Sequence, residues 1–254
     1  MKTLAVYNLK GGVGKTATAV NLSYFAARSG LRTLKWDLDP QAATTYYFRI
    51  KPKVRGGSER LFKTNNRLGS VIKGTDFENL DLVPGDFTLR GLDLLLAEKK
   101  QRRWRLREKL GSLGIEYDCV FLDCSPSISL ASENVFNAAD LLLVPLIPSP
   151  LSLRAYAQLK DFLQCKAGKE ATVIPFFSMV DRRKSLHRSV VETFSRQHPE
   201  LARTAIPYAR DVEAMGEHRL PVACFAPRSR SALAFEHLWQ ELSPRLLENA
   251  ADAD

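Results

Sequence analysis

The chain has 254 residues, of which 45% are hydrophobic and 26% charged, with a formal net charge of +9. These values are ordinary for a globular protein with a sizeable core, and the longest apolar run, residues 141–147, is too short to span a bilayer. The positive charge favours an extended anionic partner, with nucleic acid the first choice. Cys119, Cys124, Cys165 and Cys224 lack CxxC or zinc-like spacing, which predicts reduced core thiols in a cytosolic protein.

Short β-type segments alternate with helical segments along the chain. Strands are predicted at residues 3–8, 31–39, 80–85, 117–126, 139–148 and 171–180, and helices at 15–30, 90–114, 153–166 and 230–248. Residues 49–76 show no clear pattern. The alternation predicts one α/β domain, a mostly parallel twisted sheet with helices on both faces and ligands at the carboxyl ends of its strands. We expect this domain to span residues 1–248, followed by a polar acidic tail at 249–254.

A glycine-rich segment connects the first predicted strand to the first predicted helix. Residues 7–22 read YNLKGGVGKTATAVNL, and a strand–loop–helix setting is what makes such glycines a phosphate site. The glycines let backbone N–H groups face an anion, the helix N-terminus adds partial positive charge, and Lys15 adds a full charge. The Thr16 hydroxyl is placed to bind Mg²⁺. The segment therefore predicts a P-loop, although such a loop does not explain Lys10.

Acidic residues end two of the predicted strands. Asp123 follows an apolar strand and is suited to hold a magnesium-bound water, while Asp37 and Asp39 end another strand on one side because strand side chains alternate. One of the latter could support the metal while the other orients an attacking water. A single aspartate at a strand end is usually a turn or cap residue. Three of them beside a phosphate loop favour a catalytic role.

The segment KGGVGKT resembles the deviant Walker A motif of the ParA/MinD family of ATPases. The resemblance continues through YDCVFLDCSPS, LLLVPLIPSPLSLRAYAQL, FSMVDRRKSLHRSV and APRSRSALAFEHLWQEL, and so covers nearly the whole chain. The chain is similar to the short ParA proteins that lack an N-terminal DNA-binding module. The resemblance implies a single-domain P-loop NTPase fold, with ATP and Mg²⁺ as cofactors and slow ATP hydrolysis without a partner.

The resemblance also assigns roles to residues. It implies that Lys10 reaches across an ATP-sandwiched homodimer to the partner's nucleotide, that Asp39 positions the attacking water, and that Asp37 and Asp123 support the metal. Nucleotide contacts are expected from Lys10, Gly11, Gly12, Val13, Gly14, Lys15, Thr16 and Ala17, and around the adenine and ribose from Met179, Asp181 and Pro207. Two positions depart from the family pattern: Ser125 replaces a proline, and Tyr208 replaces an arginine that is often found just after Pro207 and is one possible DNA contact.

Three stretches of the chain concentrate positive charge: residues 49–67, residues 99–109, and residues 182–188 together with Arg228 and Arg230. The resemblance implies sequence-independent binding of double-stranded DNA by the ATP-bound dimer, mostly through the C-terminal half; such phosphate contacts are additive and salt-sensitive. For any one cluster, a solvated surface is at least as common a role. The expected contacts are Arg182, Arg183, Lys184, Arg188, Arg228 and Arg230.

The implied function is a cytoplasmic, nucleoid-associated switch. ATP closes the dimer on DNA, and a cargo-bound ParB-like or adaptor protein stimulates hydrolysis, so that a plasmid, a chromosome or a protein body is partitioned or positioned. Three alternatives stay open: a metal-cluster carrier of the nitrogenase iron-protein type, a MinD-like regulatory ATPase that does not act on DNA, and a small-molecule kinase. Membrane attachment through the C-terminus is not expected, because Pro244 interrupts the last helix and the tail is acidic.

Overall fold

The computed structural model describes residues 1–54, 56–62, 68–98, 102–165 and 171–247. The predicted tail at 249–254 lies outside these residues, as do Arg55, Lys63, Arg67, Lys99 and Lys100 of the basic stretches. Within the described part, the strands are β1 (Lys2–Val6), β2 (Thr33–Asp37), β3 (Lys73–Gly74), β4 (Leu80–Val83), β5 (Cys119–Asp123), β6 (Leu141–Leu146) and β7 (Thr172–Phe177). They form one sheet in the order β3-β4-β2-β5-β1-β6-β7.

The sheet is parallel apart from its edge strand β3, which pairs antiparallel with β4. The register aligns the carboxyl ends of the central strands, because Asp123 pairs with Val6 on one side and with Asp37 on the other. Residues that follow β1, β2 and β5 therefore meet at one edge of the sheet. This is where open α/β sheets bind ligands.

Helices cover both faces of the sheet. They are α1 (Lys15–Arg28), α2 (Ala43–Tyr47), α3 (Gly57–Phe62), α4 (Leu92–Ala97), α5 (Arg105–Gly111), α6 (Leu130–Ala138), α7 (Pro150–Gln164), α8 (Ser185–Gln197), α9 (Arg210–His218), α10 (Val222–Phe225) and α11 (Arg230–Leu247). One core packs beneath α1, α9, α10 and α11, and the other beneath α3 to α8. The predicted fold class is confirmed.

The predicted helix at 90–114 is wrong. The structure has a 3₁₀ turn at Phe87–Gly91, then α4, and then the separate helix α5. Asn134 of α6 donates its amide to the Arg102 carbonyl at 2.7 Å and accepts from the Leu106 N–H at 3.2 Å, while Asn137 donates to the Arg103 carbonyl at 2.9 Å. These amides use backbone groups that a continuous helix would pair with its own neighbouring turns, so tertiary contacts end the helical pattern.

Two smaller expectations are also corrected. Helix α11 continues through Pro244 to Leu247, so the proline does not interrupt it. All four cysteines are free, but only Cys119 and Cys124 are buried, whereas Cys224 is half-buried and Cys165 is exposed. Cys165 is exposed because it caps the C-terminal end of α7 instead of facing the sheet.

A candidate nucleotide site at the carboxyl ends of the strands

The glycines of the loop between β1 and α1 are conformational requirements. Gly12 and Gly14 have φ of 70° and 90°, values that side chains with a Cβ atom rarely adopt. A Cβ at Gly14 would also lie 2.8 Å from Ser178 Oγ, whereas one at Gly11 would meet nothing within 4 Å. The loop therefore curls tightly against the carboxyl end of β7, as a phosphate cradle requires.

A polar anchor holds this loop in place. The buried Asn8 donates its side-chain amide to the Pro145 carbonyl at 2.7 Å and accepts from the Lys10 N–H at 2.8 Å. Lys15 Nζ donates to the Lys10 carbonyl at 3.1 Å. Sequence reasoning missed Asn8, for which the only signal was a polar residue directly after an apolar strand.

The amine of Lys15 lies in an acidic environment. Its side chain is buried, and this burial lowers the pKa of Lys15 while the charges of Asp123 and Asp39 oppose the shift. Val13 is fully buried, so it contributes backbone to the loop, whereas Thr16 and Ala17 at the start of α1 are partly exposed. An anion bound in the loop would thus meet the Lys15 amine and the first turn of a helix.

Two buried carboxylates, Asp37 and Asp123, lie side by side at the ends of β2 and β5; we call them the acidic pair. Asp37 Oδ2 accepts from the backbone N–H of Thr45 at 2.8 Å and from its hydroxyl at 2.6 Å. The Thr44 hydroxyl donates to Asp123 Oδ2 at 2.7 Å. Burial, reinforced by the Asp123 charge, raises the pKa of Asp37 to about 7. Helix α2 thus holds both carboxylates through adjacent threonines, which sequence reasoning missed.

The acidic pair and Thr16 fit a magnesium ion. Asp123 Oδ1 is buried and has no hydrogen-bond partner among the residues that the structure describes, which leaves an oxygen for a cation or its water. Mg²⁺ typically takes one or two carboxylates and completes its shell with water and substrate phosphates. The described ranges hold no group of three or more His, Cys, Asp or Glu side chains arranged to bind a metal.

Asp39 is positioned by a turn and not, as predicted, by the alternation of side chains along a strand. Strand β2 ends at Asp37, so strand alternation does not orient Asp39, which lies in the following turn. Its Oδ1 accepts from the Gln41 N–H at 2.9 Å, and its carbonyl accepts from Ala42, whose φ is 51°. The side chain is partly exposed, and its charge still acts on Lys15. The turn therefore leaves Asp39 next to the phosphate loop and open to solvent.

A small cleft adjoins the phosphate loop, with Gly14, Ala17, Met179, Pro207 and Tyr208 in its wall. The backbone forms it: Val180 and Pro207 make a parallel bridge, and Met179 has a φ of 55°. Met179 and Pro207, two of the three residues expected around the adenine and ribose, line this cleft.

The third expected residue, Asp181, is not in the wall of that cleft. Its carboxylate accepts from Arg183 Nε and Nη2, both at 2.9 Å. The Arg183 hydrogen bonds lower the pKa of Asp181 to about 2. An expected nucleotide contact and an expected DNA contact are therefore ion-paired with each other.

The remaining basic residues lie on the surface near this cleft. The guanidinium of Arg188 donates to the carbonyls of Arg182 and Arg183 at 2.7 and 3.3 Å, which fastens the loop before α8. Ser231 of α11 bonds to Asp211 of α9 at 3.3 Å and so brings the start of α11 next to the start of α9, just after the cleft residue Tyr208. All six expected DNA contacts are exposed: Arg182, Arg183, Lys184, Arg188, Arg228 and Arg230.

The parallel sheet, the glycine loop with Lys15 and the acidic pair together define a P-loop nucleotide-binding protein. Comparison with known proteins makes this more specific. Residues 1–171 match the family model described as AAA domain. The chain is 30% identical over 248 residues to the sporulation initiation inhibitor protein Soj of Bacillus subtilis, covering 95% of this chain and 98% of the relative. It is 32% identical to the chromosome partitioning protein ParA of Myxococcus xanthus, covering 75% of this chain and 69% of the relative.

The chain therefore belongs to the ParA/Soj family of P-loop ATPases, as the sequence predicts. Among solved structures, it is similar to a protein described as cobyrinic acid a,c-diamide synthase from Mycobacterium smegmatis, with a TM-score of 0.81, 24% identity and coverage of 96% of this chain and 95% of that one. That protein is bound to an ATP analogue and magnesium, the cofactors predicted here. None of the helices in the described ranges has both the length and the apolar character needed to cross a membrane.

Proposed function

We propose that this ATPase is a nucleotide-gated DNA-binding switch. ATP closes a sandwich dimer of two chains, the dimer binds double-stranded DNA without sequence preference, and a partner protein on a cargo stimulates the hydrolysis that releases it. The cargo is a plasmid, a chromosome or a protein body positioned over the nucleoid. Soj and ParA relatives named for chromosome partitioning support this proposal.

The observation that carries the proposal is the state of Lys10. Its backbone is fixed on both sides, by Asn8 at the N–H and by Lys15 at the carbonyl. Its side chain is partly exposed, and no acceptor or acid in the described part of the chain pairs with its ammonium. A cation that extends from a fixed backbone beside the phosphate loop, and that has no partner among the described residues, fits a role toward the nucleotide of a second subunit. Charge placed there only on dimerisation would stabilise the transferring phosphoryl group.

Within one subunit, the other residues divide the chemistry. Lys15 and the backbone N–H groups from Gly11 to Thr16 bind the phosphates, and Thr16 with the acidic pair would hold Mg²⁺. When bound, the ion would neutralise negative charge on the phosphates during transfer. Asp39 accepts a hydrogen bond from the attacking water and orients it toward the γ-phosphate, and its position in an exposed turn gives water access to it.

The first experiment measures binding of double-stranded DNA with no nucleotide, with ADP, with ATP and with a slowly hydrolysed ATP analogue, at low and high salt. We expect binding only in the ATP states and a steep loss with salt. Equal binding without nucleotide would reduce the interaction to general basicity. No binding in any state would remove DNA from the proposal.

A second experiment tests the dimer through Lys10→Ala, with the exposed Lys51→Ala as a control of equal charge change. We expect Lys10→Ala to lose ATP-dependent dimerisation in light scattering and to lose hydrolysis, while nucleotide binding by the monomer largely remains. A full ATP-dependent dimer in this variant would contradict the role given to Lys10.

A third experiment uses Asp39→Ala, which should bind ATP and dimerise but hydrolyse it at least about 100-fold more slowly, because the water is no longer oriented. The trapped dimer should remain on DNA. Unchanged turnover would move the role to another carboxylate.

A metal-cluster carrier, the alternative from another class, finds less support. Cys119 and Cys124 are both buried, and burial raises the pKa of each thiol, which disfavours the thiolate that a cluster needs. An iron–sulfur absorbance in the purified protein would favour the carrier.

A further inference from the structure

Lys35 is a buried cation in the centre of the sheet. It is the middle residue of β2, its exposed fraction is 0%, and its Nζ has no hydrogen-bond partner in the part of the chain that the structure describes. Central parallel strands normally carry apolar residues on both faces. An isolated ammonium in such a place is strongly destabilising unless opposite charges compensate it. The fold therefore needs a nearby anion to keep this side chain charged.

The acidic pair supplies that negative charge. Lys35 precedes Asp37 by two residues on β2, so both side chains lie on the same side of the sheet, and Asp37 is in register with Asp123. The in-register neighbours of Lys35 itself are the apolar Phe121 and Leu82. Burial lowers the pKa of Lys35, and the charge of Asp123, followed by that of Asp37, opposes this shift. The apolar stem can thus pack among hydrophobic side chains while the ammonium extends toward the carboxylates.

The hydrogen bonding of the acidic pair leaves a place for this interaction. Thr44 and Thr45 occupy one oxygen of each carboxylate. Asp123 Oδ1 and Lys35 Nζ are both buried and both lack a hydrogen-bond partner among the described residues. Two unpartnered groups of opposite charge on one side of the sheet, with Asp123 as the main charge acting on Lys35, point to a shared electrostatic role.

We propose that Lys35 is a positioning residue that supplies the counter-charge of the acidic pair and makes divalent-cation binding depend on nucleotide phosphate. The inference rests on the proposed function, because it takes the acidic pair as the Mg²⁺ site. The positive charges of Lys35 and Lys15 oppose the negative charge of the acidic pair. Without phosphate the site therefore offers a cation little net attraction, and the bound triphosphate provides the negative charge that recruits it.

The test measures Mn²⁺ affinity by electron paramagnetic resonance, with Mn²⁺ as a paramagnetic probe for Mg²⁺. Nucleotide-free Lys35→Met should bind Mn²⁺ at least about tenfold more tightly than the nucleotide-free wild type, because one buried positive charge next to the site is gone. The exposed Lys51→Met changes the net charge equally and should leave the affinity unchanged. The double variant Lys35→Met/Asp123→Asn should lose the gain, which assigns it to this site.

Mn²⁺ binding by the wild-type protein with ATP shows whether a negative result contradicts the inference or the proposed function. If ATP recruits Mn²⁺ to the wild type but Lys35→Met shows no gain without nucleotide, the role of Lys35 is wrong and the proposed site stands. If ATP fails to recruit Mn²⁺ to the wild type, the proposed site fails and the inference fails with it. Methionine has a similar length and no charge, and thermal unfolding checks that the variant folds. Lys35→Gln is also neutral and must show the same increase in Mn²⁺ affinity without nucleotide. If Lys35→Gln shows no increase, the inference is overturned.

Discussion

Two regions of this molecule use charge in opposite ways. The acidic pair is almost fully buried, each carboxylate is bonded to a threonine of α2, and Lys35 lies on the same side of the sheet. The basic segment, residues 182–188, is mostly exposed; Arg183 bonds to the adjacent Asp181, and Arg188 bonds to the carbonyls of Arg182 and Arg183. In the acidic pair, desolvation makes the charge state of each carboxylate sensitive to every neighbouring group. In the basic segment, water and salt screen each charge, so we expect DNA affinity to depend on the number of positive charges more than on their exact positions.

We expect the largest effect from a substitution that distorts the phosphate loop next to the acidic pair. Gly14→Ala should weaken ATP binding by at least about 100-fold, because the residue has a φ of 90° and its new Cβ would lie 2.8 Å from Ser178 Oγ. Gly11→Ala is the matched control, since its Cβ would meet nothing within 4 Å. Fluorescent-nucleotide titration measures both, and equal losses would show that the strain at Gly14 is not the cause.

The next largest effect is on stability, in substitutions of the two threonines of α2 that hold the acidic pair. Thr45→Val should lower the free energy of unfolding by about 2–3 kcal/mol, because its hydroxyl donates to Asp37 and also accepts from the Gly85 N–H at 2.8 Å. Thr44→Val removes one hydrogen bond, to Asp123, and should cost about 1–2 kcal/mol. Denaturant unfolding of nucleotide-free protein measures both. A larger loss of unfolding free energy for Thr44→Val than for Thr45→Val would contradict the argument from the number of hydrogen bonds.

A pH dependence follows from the raised pKa of Asp37, about 7 in the folded protein. An ordinary aspartate in the unfolded chain has a pKa of about 4. Between these values the folded state holds a proton that the unfolded state releases, so stability falls as pH rises through this window and levels off above about pH 7. The slope should approach roughly 1 kcal/mol per pH unit. Asp37→Asn should remove this slope, and an unchanged profile would show that Asp37 is ionised throughout.

The smallest effects concern the basic segment. Arg182→Ala or Lys184→Ala should weaken DNA binding by the ATP state roughly threefold to tenfold at low salt and reduce the salt slope by about 1. Arg183→Ala should have a smaller effect, because Asp181 already pairs with that guanidinium. Salt titrations of DNA affinity measure all three. If Arg183→Ala has the largest effect, the ion pair must open when DNA binds.

The sequence predicted those parts of the site that local constraints determine. The glycines, Lys15 and Thr16 occur within six consecutive residues, and their conformation follows from what a strand–loop–helix connection allows. Asp37 and Asp123 end two predicted strands, and the carboxyl ends of neighbouring parallel strands meet at one edge of the sheet. Six of the seven described strands were predicted within a few residues of the observed ends, because buried parallel strands are mostly apolar runs, whereas the two-residue edge strand β3 was not predicted.

The sequence did not predict contacts made between distant segments. Helix 90–114 is broken because Asn134 and Asn137, about 30 residues further along, bond to its backbone. Asp39 is oriented by its turn rather than by strand alternation, and Asp181 is held by Arg183 instead of lining the cleft. Thr44, Thr45 and Lys35 carried no motif, and their importance comes only from what lies next to them.

The sequence by itself thus determined the fold class, the phosphate loop and the family, because these depend on short-range patterns of apolar, glycine and charged residues. The tertiary structure alone decided which carboxylates are buried, which hydrogen bonds hold them and which buried cation shares their side of the sheet. These properties depend on desolvation, and desolvation is set by every element that packs over a residue rather than by its neighbours in the chain.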